Sequence, residues 1–91
     1  MSQVEREIER YVLEQLKSIR KEAGLTQKEL AQRLGRPQSY VAKYEGGLRK
    51  LEVKELFAVC RECRTTARNF CAVVEGKLVI QHPQAKPIAQ G

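Results

Sequence analysis

Ninety-one residues make one small domain, and 42% apolar against 31% charged residues is an ordinary globular composition. The longest unbroken apolar runs, 56–60 and 70–74, are too short to cross a bilayer, and the N-terminus mixes Glu5, Arg6, Glu7, Glu9 and Arg10 with no apolar signal region, which predicts a cytoplasmic protein. The formal net charge of +6 is unevenly placed: residues 1–25 carry five Lys or Arg and five Glu, residues 26–50 six and two, and residues 51–91 six and four. The basic excess on 26–50 is the electrostatic footprint expected for contact with phosphates.

Val4, Ile8, Tyr11, Val12, Leu16, Ile19 and Ala23 recur at steps of three and four, which predicts a long first helix ending at Gly24. Thr26 and Glu29 form a Thr-x-x-Glu capping box that starts a second helix over about 27–34. Leu30, Ala31 and Leu34 share one face of it, and the small Ala31 lets the next helix approach closely. Gly35 then permits the positive φ that reverses the chain, and Pro37 suits the first turn of a third helix, about 38–45. Val41 and Tyr44 are its inner face. The loop 46–51 is basic through Arg49 and Lys50. A fourth helix over about 52–63 is read with Val53, Leu56, Phe57, Val59 and Cys60 as its buried side. A fifth, about 66–74, presents Phe70, Cys71 and Val74 inward. Gly76 breaks that pattern, so that 77–82 reads as a short strand or extended segment. Pro83 and Pro87 then exclude regular structure, which predicts a mobile tail.

Two short helices joined by a tight turn make a helix-turn-helix, a unit whose second helix lies in the DNA major groove. The stretch 16–63 resembles the helix-turn-helix domain of the Cro/C1 (XRE-like) bacterial and phage repressors. The resemblance is carried by GLTQKELAQRLG, by the helix ending in YEGG, and by the apolar run LEVKELFAVC. It implies an all-α, five-helix repressor-like domain over 1–75 with the helix-turn-helix unit at about 26–46. Residues 76–91 would form a C-terminal extension, partly mobile and with a part in dimerisation. The resemblance also implies that Gln27 contacts a DNA phosphate and braces the first base-reading residue. Gln38, Ser39 and Lys43 match the base-facing positions; Gln pairs bidentately with adenine and Lys donates to guanine O6 and N7. Tyr40 is the odd member of that set, with a phosphate, a thymine methyl and packing on a neighbour all open to it. Arg36, Arg49 and Lys50 are the implied backbone contacts. Three positions depart from the family pattern. Leu51 stands where a proline is common, Glu52 stands at a Ser, Thr or Asp cap, and Arg64 stands at a glycine, which suggests that the fourth helix runs on.

Cys60 and Cys63 have CxxC spacing and Cys71 is a third thiol, but a structural zinc site wants four ligands in two well-placed pairs. Free cysteine is among the most buried residue types, so all three are expected as core thiols, with no metal and no cofactor. The chain has no Asp, a single His and no Gly-rich phosphate loop, and it is read as no enzyme. The expected function is that of a sequence-specific double-stranded DNA-binding transcriptional regulator, repressor or controller in type. It would act as a homodimer on a pseudo-palindromic operator and have no membrane partner. The fifth helix and 77–82 are the favoured dimer interface, because Leu78, Val79 and Ile80 are too apolar to be left in water; the extra turns of the first helix are the alternative. A rival reading is a protein-interaction module of the same fold, such as an antitoxin or adaptor.

Overall fold

A computed structural model describes residues 1–81. Five helices follow in chain order: α1 (Gln3–Glu22), α2 (Gln27–Leu34), α3 (Gln38–Glu45), α4 (Val53–Glu62) and α5 (Ala67–Gln81). There is no strand among the described residues. α2 and α3 pack on each other, α1 lies against α3 and α5, and α4 closes the bundle on α2 and α5.

Side chains start four of these helices. Ser2 and Glu5 form a capping box at α1, with the Ser2 hydroxyl accepting from the Glu5 N–H at 3.1 Å and the Glu5 carboxylate from the Ser2 N–H at 3.2 Å. Thr26 and Glu29 repeat it at α2, at 3.1 and 2.9 Å. The Thr26 N–H and hydroxyl hold the Glu29 carboxyl below the usual carboxylate range. Glu55 accepts from the Glu52 N–H at 2.8 Å at the start of α4, and Thr66 accepts from the Asn69 N–H at 3.0 Å at the start of α5. Pro37 sits one position earlier than the sequence suggests, as the residue that caps α3.

α1, α2, α3 and α4 all end in the same double hydrogen bond. At the end of α1, the Gly24 N–H reaches the Lys21 carbonyl at 2.9 Å and the Leu25 N–H the Arg20 carbonyl at 3.1 Å. This Schellman arrangement needs a left-handed residue at the reversal. Gly24, Gly35 and Gly47 supply it with φ of 74°, 68° and 78°. At the end of α4 the same residue is Arg64, with φ of 60°. Its N–H reaches the Arg61 carbonyl at 3.1 Å, and the Thr65 N–H the Cys60 carbonyl at 2.9 Å. The expected run-on of the fourth helix is therefore corrected. Arg64 takes the glycine's conformation and bears its steric cost, because the turn must bring Phe70 and Val74 back onto the core.

The core is built from Leu16 and Ile19 of α1, Leu30 and Ala31 of α2, Val41 and Tyr44 of α3, Val59 and Cys60 of α4, and Phe70 and Val74 of α5. Three inward assignments change. Val53 is 73% exposed and Phe57 60% exposed, while Leu56, Val59, Cys60 and Cys63 face the bundle together with Glu55. Treating Glu55 as a solvent-facing glutamate rotates the inferred face of α4 toward Phe57, and the inward glutamate removes that error. Cys71 is exposed, whereas Cys60 and Cys63 are buried. Finally, 77–81 is neither strand nor extended: α5 continues through Gly76 to Gln81. A helical glycine costs only about 1 kcal/mol, and Phe70, Val74 and Leu78 recur every fourth residue along the face that packs on the core. Lys77 adds an ion pair to Glu14 of α1 at 3.8 Å and lies 5.8 Å from the Tyr11 ring centre. His82, the last residue of the segment expected to be extended, and the tail with Pro83 and Pro87 expected to be irregular lie outside the described residues.

Two backbone positions thus hold removable strain or flexibility. Arg64→Gly relieves the left-handed arginine, and Gly76→Ala stiffens α5 where an added Cβ meets nothing within 4 Å. Each should stabilise the fold by about 0.5–1 kcal/mol, seen as a higher denaturant midpoint at unchanged slope. A lower midpoint for Arg64→Gly would contradict the turn geometry.

Burial pushes the Cys60 and Cys63 thiols up to about 11, from ordinary values near 9. Their folded pKa is raised, so the stability they contribute is intact below pH 9 and is lost as pH rises through about 11. Melting temperature should accordingly fall across that window. An aromatic disulfide reagent at pH 8 should modify one thiol, Cys71, at once and the other two only on unfolding. Three fast thiols would show that the two buried positions are misread.

Candidate nucleic-acid interface

α3 divides cleanly into an inner and an outer side. Tyr40, Val41, Tyr44 and Glu45 are buried, whereas Gln38, Ser39, Ala42 and Lys43 are exposed. Three of the four residues expected to face bases are therefore brought together on the open side of one short helix. The fourth, Tyr40, is 8% exposed and belongs to the inside. Its ring meets Tyr44 edge to face at 5.6 Å between centroids. Of the options the sequence leaves for Tyr40, the structure takes packing on a neighbour.

The C-terminal end of α3 is fixed by a buried ion pair. Arg20 of α1 donates from Nε to Glu45 Oε2 at 2.7 Å and from Nη2 to Oε1 at 3.1 Å. Its third nitrogen, Nη1, donates to the Leu25 carbonyl at 2.9 Å. The side chains are 11% and 2% exposed, so both charges have left water. Gln27 completes the group by donating from Nε2 to Glu45 Oε1 at 3.1 Å. The amide expected to brace Gln38 thus braces the other end of α3. The hydrogen bond to Glu45 is the largest influence raising the already high Arg20 pKa, ahead of the opposing effect of burial.

The N-terminal end is held by a second carboxylate. Glu55 is 6% exposed, and its Oε2 accepts from the Tyr40 hydroxyl at 3.0 Å and from Arg49 Nη2 at 2.9 Å, with Arg36 Nη2 at 3.9 Å. Both guanidinium groups also lie over the Tyr40 ring, Arg36 at 4.9 Å and Arg49 at 4.8 Å from its centre. The Glu52 N–H, the Tyr40 hydroxyl and the two arginines hold the Glu55 carboxyl below the usual carboxylate range, while burial and the nearby carboxylate push the Tyr40 phenol up. Arg49 Nη1 donates to the Lys50 carbonyl at 3.1 Å, and the Lys50 side chain is exposed. Arg36 and Arg49, both expected as phosphate contacts, are gathered at one place beside the first turn of α3.

Sequence reasoning missed Arg20, Glu45 and Glu55, treating charged residues as solvated by default. A signal was present for the first two. Arg20 follows Leu16 by four residues and Glu45 follows Val41 by four, so each falls on a buried stripe, with opposite charges.

A helix-turn-helix family model matches residues 16–69. Among solved structures, the chain is similar to an XRE-family like protein from Pseudomonas syringae pv. tomato str. DC3000. The two share 40% identity over 80% of this chain and 88% of that one, with a TM-score of 0.72. It also shares its fold with the clp gene regulator ClgR from Corynebacterium glutamicum, at 22% identity over 85% of this chain and 82% of that one, with a TM-score of 0.71. No curated protein sequence matches it significantly.

Breaking the buried pair from one side should be costly. Arg20→Met leaves the Glu45 charge buried with Gln27 alone, and about 3–5 kcal/mol of stability should be lost. The double change Arg20→Met with Glu45→Met should recover much of it, because no orphaned charge remains. Equal losses for the single and double variants in urea titration would mean that the two side chains do not act as a pair.

Proposed function

Because the chain belongs to the Cro/C1-type (XRE-like) helix-turn-helix family, we propose that it is a sequence-specific double-stranded DNA-binding regulator of transcription, of the repressor or controller type. One observation carries this reading. α3 is pinned at both ends by buried carboxylates, and its free face offers Gln38, Ser39 and Lys43 between two basic flanks. A rigid helix with short polar side chains on one face is what base-edge readout in a major groove requires. Gln38 pairs with adenine N6 and N7, Lys43 donates to guanine, and Ser39 serves either base. Arg36, Arg49 and Lys50 contact phosphates. Gln27 keeps its amide on Glu45 and offers a backbone N–H at the first turn of α2, where the helix dipole favours an anion.

One helix of eight residues reads few base pairs, so the protein acts as a homodimer on a pseudo-palindromic operator with half-sites roughly 34 Å apart. For that contact the structure favours the extra turns of α1 over the C-terminal segment. Of Leu78, Val79 and Ile80 only Ile80 is exposed, the other two being half-buried in α5, whereas Met1, Val4, Leu48, Val53 and Phe57 are all exposed. Met1 and Val53 line one apolar groove between α1 and the start of α4, and Phe57 follows Val53 by one helical turn. The same apolar residues support the rival reading, an adaptor or antitoxin that grips another protein. Salt separates the two, since a DNA reader loses affinity steeply as salt rises.

The test is a duplex selected from random sequence, titrated beside a scrambled one at two salt concentrations. Gln38→Ala or Lys43→Ala should cost about 1–3 kcal/mol on the selected duplex and little on the scrambled one. Lys50→Ala should weaken both alike and flatten the salt dependence by about one phosphate contact. Uniform losses from all three would mean that α3 reads no bases.

A further inference from the structure

We propose that Glu55 is a specificity-determining residue: with Tyr40 it pre-positions Arg36 and Arg49 and holds down their attraction for DNA of any sequence. The inference rests on the DNA-binding reading and adds to it a residue that touches neither base nor phosphate.

Four contacts converge on one buried carboxylate from four parts of the chain. The Tyr40 hydroxyl at 3.0 Å comes from α3, Arg49 at 2.9 Å from the loop after α3, Arg36 at 3.9 Å from the turn before α3, and the Glu52 N–H at 2.8 Å from the start of α4. The Tyr40 ring, 4.9 Å from Arg36 and 4.8 Å from Arg49, supplies the surface on which both guanidinium groups rest. Yet both arginine side chains stay open to solvent, at 48% and 35% exposure. A guanidinium has five N–H donors in a fixed fork. Arg49 therefore keeps one edge on Glu55 and the Lys50 carbonyl and still presents another to a phosphate.

Two consequences follow from placing a negative charge there. The first is geometric. The arginines are tied to Tyr40, hence to the first turn of the helix that carries Gln38 and Ser39, so phosphate contact and base contact share one frame. When the bases mismatch and α3 shifts, the arginines shift with it. Unanchored arginines on flexible loops would instead reach phosphates in any register. The second is electrostatic. Free guanidinium groups strengthen binding to every sequence by releasing counterions. A carboxylate within 4 Å lowers that sequence-blind term. On the matched site the anchored geometry offsets the loss, and on mismatched DNA nothing does. Discrimination is thereby raised at the expense of raw affinity.

The experiment is Glu55→Gln in the full chain, with Tyr40→Phe as a second variant. Gln keeps the acceptor for the Glu52 N–H, turns its amide NH2 to the Tyr40 hydroxyl as a donor, and removes both the charge and the oxygen that holds Arg49. Phe keeps the ring under both arginines and removes only the hydroxyl that orients Glu55. A helical circular-dichroism signal and melting curve verify folding for each. Against a duplex selected by the wild type from random sequence, Glu55→Gln should bind the scrambled duplex about three- to tenfold more tightly, with a steeper salt dependence. Its gain on the selected duplex should be smaller, so that the ratio of the two affinities falls at least threefold. Tyr40→Phe should lower the ratio in the same direction by less. If the wild type discriminates but Glu55→Gln leaves the ratio unchanged, or weakens both duplexes equally, the role assigned to Glu55 is wrong while the DNA-binding reading stands. If the wild type selects no sequence at all, it is the DNA-binding reading that fails.

Discussion

The buried bond between Arg20 and Glu45 decides how the rest of the molecule can be arranged. Taking two charges out of water costs several kcal/mol per ion, and their attraction offsets it only when every remaining donor and acceptor is used. Here they are used. Both Glu45 oxygens accept from Arg20, the third arginine nitrogen finds the Leu25 carbonyl, and Gln27 supplies a further donor. The group can be satisfied in only one relative placement of α1, the start of α2 and the end of α3. An apolar contact of the same volume would tolerate sliding and rotation, whereas a two-pronged guanidinium–carboxylate bond does not. What the pair contributes is thus a fixed orientation of α3 more than a gain in stability.

The second carboxylate completes that constraint. Glu45 and Glu55 lie at opposite ends of an eight-residue helix, and each is buried with arginine as its partner. Between them Val41 and Tyr44, both at 0% exposure, fill the core from the same side. The helix is therefore held along its inner face at three places, and its outer face is free of structural duties. This division of labour explains why Gln38, Ser39 and Lys43 are unengaged while Tyr40, adjacent in sequence, is fully engaged.

Most of the fold was legible because helix ends are written in local chemistry. Thr26 with Glu29, and Gly24, Gly35 and Gly47, mark boundaries through hydrogen bonds spanning three to five residues, so no knowledge of the tertiary structure is needed to read them. The Ser2 and Glu5 box could have been read the same way. What was not legible depends on distant partners. Glu45 and Glu55 look like any solvated glutamate until Arg20 and Arg49 are brought beside them, 25 and 6 residues away in sequence. The inward turn of Glu55 also hid the correct face of α4 and left Val53 and Phe57 on the wrong side. Arg64 shows the opposite failure: the rule that a left-handed position wants glycine was right, and the tertiary structure overrode it. At Gly76 a breaker signal lost to Val74 and Leu78, whose burial against α1 outweighs one helical glycine.

These departures have a common cause. Local preferences in this chain are each worth about 1–2 kcal/mol, whether a left-handed arginine or a glycine inside a helix. A buried ion pair left half-made costs several times that. Where a local rule competes with a small apolar contact, the local rule stands, and the helix boundaries follow the sequence. Where it competes with orphaning a charge or exposing the α5 face, the tertiary arrangement wins. The residues least predictable from the sequence are consequently the ones that fix the orientation of α3, and the exposed residues that face outward from it are among the easiest to name. If the task of this domain is the one proposed, presenting one short helix at one angle, the information about specificity is thus split. The side chains that the proposed reading gives to the partner are read from the pattern, and those that orient α3 are read only from the fold.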